Sequence, residues 1–199
     1  MFSSKLIRLG APGALVAGVT WIVSFIIVVI DFATRGLIPI FGFPYSNLGR
    51  TVYIVVLMSM LWGLVGLHAA QEKRYGRLGT MGFFVAYFGS TLALIGLGIT
   101  WLFTSNVLGQ EPAVTLGISG MGVGLMFVGI GFLLLGIATV RARVLPRWCG
   151  VSLIVAFVAV LVSLGFPASL GAYAVLMVLG FVWLALGYVL WKRQSLSAT

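Results

Sequence analysis

The residues able to do chemistry are few. One histidine (His68), one cysteine (Cys149) and three carboxylates (Asp31, Glu72 and Glu111) are the whole supply in 199 residues. A single cysteine excludes an internal disulfide and any multi-cysteine metal centre. A single histidine excludes a haem held by two histidines of one chain. Three carboxylates leave little for a metal cage or an acid–base pair. No cofactor and no metal are therefore expected.

His68 would act as an axial ligand only with help from a second chain. It reads instead as an interfacial histidine bonded to a loop or a headgroup. Cys149 lies two residues from Arg147, where a thiol pKa can fall. With no resolving cysteine or histidine base nearby, it reads as a small packing residue. No nucleophile elbow, zinc helix, phosphate loop or dinucleotide fingerprint occurs in a supporting context. Gly96-Leu97-Gly98 and Gly122-Val123-Gly124 fall inside apolar runs and cannot cradle phosphate.

One cluster has the composition of a ligand mouth. Asp31 and Arg35 are four apart and can pair if their helix continues one turn. The segment Gly36–Arg50 is aromatic and apolar for a loop. Tyr45, Asn47, Arg50, Trp101, Asn106, Gln110 and Glu111 can converge with it on one face. Such a mouth suits a small amphipathic solute. The structural alternative is interfacial anchoring with an ion pair that ties the loop.

These residues must be positioned by membrane helices. The chain is 61% hydrophobic and only 8% charged, against about 25% charged in a soluble domain. About 20 apolar residues cross a bilayer as a helix. Six segments qualify: Pro12–Ile30, Thr51–Ala70, Leu78–Phe103, Ala113–Val140, Trp148–Phe166 and Ser169–Trp191, the fifth being the shortest. The fold class expected is an all-α integral membrane protein with six transmembrane helices. The first apolar run is too long for a signal peptide and reads as an uncleaved helix. Pro12, Pro39, Pro44, Pro112, Pro146 and Pro167 all fall at expected ends or in loops, where a missing N–H costs least.

The net charge is +9, but its distribution argues against nucleic acid. Ten of the twelve Lys/Arg form four clusters beside apolar spans: Lys5 and Arg8; Lys73, Arg74 and Arg77; Arg141, Arg143 and Arg147; Lys192 and Arg193. This positive-inside pattern places both termini, Gln71–Arg77 and Arg141–Arg147 in the cytoplasm. Anionic headgroups are the expected partners of that side, in the cell membrane.

The cytoplasmic boundaries resemble one another. Arg8-Leu9-Gly10, Arg77-Leu78-Gly79 and Arg147-Trp148-Cys149 each open a helix, and Gly66, Gly136 and Gly187 each precede a basic pair. The chain thus divides into three possible hairpins within one membrane domain, 1–74, 75–143 and 144–199. All three point the same way, unlike an inverted-repeat transporter.

Glycine supplies the packing signal. Gly82, Gly89 and Gly96 recur every seven residues in helix 3. Gly117, Gly124 and Gly131 do so in helix 4, with Gly122, Gly129 and Gly136 on a second stripe and Gly120 completing a GxxxG. Such stripes let backbones approach in lipid and place helix 4 centrally, with a neighbour on each face. No ionisable group is expected mid-membrane, so the usual functional flag is missing. Thr20, Ser24, Ser59, Thr91, Ser119 and Ser163 are mid-span hydroxyls able to bond back to their own helix.

The leading expectation is a non-enzymatic accessory or scaffold subunit of a membrane assembly, or a homo-oligomer. The alternative is a small-solute binding or transport subunit with its site on the outside face. In size and six-helix topology the chain is similar to the substrate-binding membrane subunits of energy-coupling factor importers. Those use small residues on helix 1, which Ala14, Ala17 and Gly18 echo; the resemblance implies that Ala14 and Gly18 face a partner. A lipid-modifying enzyme ranks third, with Asp31, Glu111 and His68 as its only candidates.

Overall fold

The computed structural model describes residues 2–35, 47–71, 74, 76–104, 111–165 and 170–196. It is all-α: α1 Phe2–Arg35, α2 Asn47–Gln71, α3 Gly76–Thr104, α4 Glu111–Ala142, α5 Arg147–Gly165 and α6 Leu170–Leu196. Five carry spans long and apolar enough to cross a membrane, and α6 carries a shorter apolar stretch, Met177–Lys192. At 19 residues α5 is the shortest helix. A rise of about 1.5 Å per residue still takes it across most of a hydrocarbon core of about 30 Å. The protein is a multi-pass membrane protein.

The helices are longer than their apolar runs, which moves several residues out of loops. Pro12 lies inside α1, because the helix starts well before the apolar span. Asn47–Arg50 form the first turn of α2, and Gln71 is its last residue. Glu111 opens α4 with Pro112 next, where a proline's missing N–H costs nothing. Pro39, Pro44 and Pro167 lie outside the described residues.

Each helix packs on its chain neighbours, and α6 returns to α1. The result is a ring in chain order. The packing is uneven around it. Contact is extensive for α1 with α2 and α6, and for α4 with α3 and α5; the α2·α3 and α5·α6 seams are slighter. The ring therefore consists of two three-helix bodies, α2–α1–α6 and α3–α4–α5. Helix α4 is central to its own body only, because α1 holds the equivalent place in the other.

Close approaches inside each body occur at glycine. In the first body Gly10 meets Gly66 backbone to backbone. A Cβ at Gly18 would lie 2.6 Å from the Leu184 backbone nitrogen, and one at Gly187 2.8 Å from that of Leu15. In the second body a Cβ at Gly82 would lie 2.8 Å from Leu135 N, at Gly89 2.6 Å from Gly124 O, and at Gly96 2.5 Å from Met121 N. Gly117 is filled by Thr100 and Gly131 by Ala86. Across α4·α5, a Cβ at Gly136 would lie 2.8 Å from Gly150 O. Gly120 is looser, since a Cβ there would lie 3.7 Å from Gly96 Cα, and Gly122 opens on free space.

Large side chains fill the ring. Trp21, Tyr53, Met60, Phe132 and Trp183 are all buried. Trp183 reaches across the interior: it lies edge-on to Phe132 with ring centroids 6.0 Å apart, and its ring would meet a Cβ on Gly63 at 2.6 Å.

Candidate functional site

The outside cluster divides by element. Helix α1 continues through Arg35, so Asp31 and Arg35 stand one turn apart on a single helix. Asn47 and Arg50 begin α2, Glu111 begins α4, and Trp101 is in the last turn of α3. Helix ends therefore carry these residues to one end of the ring. Tyr45, Asn106 and Gln110 lie outside the described residues.

Arg50 is the surprise among them. Expected in a loop, it is helical and only 8% exposed. A buried guanidinium costs several kcal/mol unless it is bonded, and Arg50 is not without an interaction partner. One turn further in, Tyr53 is fully enclosed and meets Trp21 edge-on at 5.3 Å. Trp101 is partly exposed, as an interfacial indole should be.

At the basic end, His68 stacks on Phe83 of α3, with centroids 4.2 Å apart and planes 19° apart. Cys149 is wholly buried. Arg74, Arg77, Arg141, Arg143 and Arg147 are all exposed. No group of three or more His, Cys, Asp or Glu able to hold a metal occurs among the described residues.

The small residues of α1 do not face outward. Ala14 is 0% exposed and lies 3.1 Å from where a Cβ of Gly63 would stand; Gly18 is closed by Leu184. The expectation that they face a partner is corrected: α2 and α6 of the same chain already occupy that surface.

Several hydroxyls bond back along their own helix. Thr20 donates to Val16 O at 2.6 Å, Thr91 to Tyr87 O at 3.0 Å and Ser163 to Val160 O at 2.7 Å. Others do not. Ser24 Oγ, Thr139 Oγ1, the indole nitrogens of Trp21 and Trp183, and both polar atoms of Gln71 are buried without a hydrogen-bond partner among the described residues. Sequence reasoning missed Gln71, Thr139 and Trp183. For two of them the sequence fixes only a helical spacing, and the structure supplies the exposed face it is measured from. Gln71 follows Trp62 by nine residues, and Thr139 follows Ile130 by nine. Nine residues are two and a half helical turns, so each lies opposite its exposed partner.

Comparison with protein-family models, curated proteins and solved structures returns no match.

Proposed function

We infer that this chain is a non-catalytic accessory or scaffold subunit of an assembly in the cell membrane, its basic end set against anionic headgroups. The observation that carries this reading is the close glycine contact within each three-helix body. Backbones that meet at Gly10–Gly66 and Gly89–Gly124 favour rigid bodies held by dispersion. The outer surface is then left to lipid or to other subunits. Trp62, Phe84, Phe88 and Phe181 are all more than half exposed there.

Native mass spectrometry after gentle extraction tests it. Stoichiometric partner proteins are expected. A chain that carries one defined small molecule and no protein would overturn the reading. It would favour the second one, a small-solute subunit with its site at the outer end, when R50A also releases that molecule. The burial of Arg50 supports that second reading. Under it, R50A abolishes solute binding; under the scaffold reading, R50A leaves partner capture intact.

A further inference from the structure

We propose that the interface between the two three-helix bodies, at its basic end, is a binding site for a small uncharged molecule that both donates and accepts hydrogen bonds. Gln71 and Thr139 are its polar groups.

The two residues belong to different bodies. Gln71 ends α2, and Thr139 is in the last turns of α4. Each stands half a turn round its helix from a lipid-exposed residue, Trp62 at 54% and Ile130 at 40% exposure. Both therefore face the ring interior. Thr139 also continues the stripe of Phe132, seven residues earlier, which meets Trp183 across the ring.

Helix α3 fixes their level. His68 of α2 stacks on Phe83, and the neighbouring Gly82 meets Leu135 of α4. Gln71 lies one turn past His68, and Thr139 one turn past Leu135, toward the same end. The side chains thus approach one interior level from opposite bodies.

Neither is satisfied among the described residues. Gln71 is 1% exposed and Thr139 0%, and their Oε1, Nε2 and Oγ1 have no hydrogen-bond partner. A primary amide offers two donors and an acceptor oxygen; a hydroxyl does both. Leaving such groups buried and unmade is costly. The cost disappears when a molecule with matching donors and acceptors enters between the bodies. That molecule is uncharged, because neither group carries a charge to offset its desolvation. The slight α2·α3 and α5·α6 seams are where the bodies part to admit it. The Trp183–Phe132 contact closes the interior above.

Cysteine labelling tests this in membrane vesicles of known orientation, in a C149A background. A small neutral methanethiosulfonate is added on the basic side to Q71C, T139C, exposed R74C and L97C. Leu97 is equally buried but lies beyond Trp183–Phe132. Q71C and T139C should react within about a hundredfold of R74C, an opening cost of under about 2.8 kcal/mol, while L97C stays unreactive. Slowing by glycerol or urea identifies a solute as occupant; slowing by neither leaves water as the occupant. Unreactive Q71C and T139C beside reactive R74C would overturn the proposal. If the cysteine variants fail to fold, hydrogen exchange on the wild-type chain decides. Amides of 68–71 and 136–139 should exchange faster than those of 89–93 and 120–124, and equal protection would overturn it. Q71L and T139V give a separate readout. Removing an unused buried polar group should raise the melting temperature; a rise in both overturns the site, and a fall in both supports it.

Discussion

Arg143 follows α4 directly and takes φ +50°, a left-handed conformation that glycine adopts without the Cβ clash. For other residues it costs about 1–2 kcal/mol. Thermal unfolding in detergent should show R143G stabilised by about 1 kcal/mol relative to the parent. A lower melting temperature would mean that the guanidinium itself holds the connector. Glycines elsewhere divide by what surrounds them. A Cβ at Gly124 would lie 2.5 Å from Ala93 N, whereas Gly98 has nothing within 4 Å. G124L should therefore cost at least about 1–3 kcal/mol through overpacking, with loss of the parent's folded peak on size exclusion. G98A should melt at or above the parent, because alanine is the better helix former by about 1 kcal/mol.

At the scale of an element, α1 combines a defect with a role. Pro12 lies inside it, removing one N–H from the helical ladder. The helix is held all the same, because α2 and α6 flank it around Pro12, at Gly10–Gly66, Gly13–Trp62 and Leu15–Gly187. Tertiary contact offsets what the local sequence lacks. P12A restores the donor that Arg8's carbonyl is missing, so α1 should gain hydrogen-exchange protection around residues 8–12. No gain would show that the helix already bends there and bonds elsewhere. The hairpin division at residues 74 and 143 cuts across this arrangement: α1 is packed as closely on α6 as on its hairpin partner α2, at Gly18–Leu184 and Gly187–Leu15 as well as Gly10–Gly66.

For the whole molecule the charge is polar in its placement. Arg141, Arg143 and Arg147 are exposed around one short connector. Each basic residue near an anionic surface contributes about 1 kcal/mol. The R141Q/R143Q/R147Q variant should retain fewer anionic lipids than the parent when both are extracted from the same membrane and weighed intact. Unchanged retention would separate the basic end from headgroup binding. The two-body ring gives the same end a second property, since any parting of α2·α3 and α5·α6 widens the interior there.

Much of this was legible in the sequence because lipid imposes a simple rule. Backbone polar groups must be satisfied internally, so long apolar runs become helices. Six helices and a basic side follow from composition and spacing alone. Helix ends were less legible: Arg50 and Gln71 are polar, and polarity at a membrane boundary looks the same in a loop and in a last helical turn. What only the tertiary structure decided is which helix meets which. A glycine stripe states that a backbone can come close but does not name its neighbour. Nothing local distinguishes Gly124, pressed on Ala93, from Gly122, open to space. The interior placement of Gln71, Thr139 and Trp183 was settled in the same way, since one helix's inside is defined only once its neighbours close the ring.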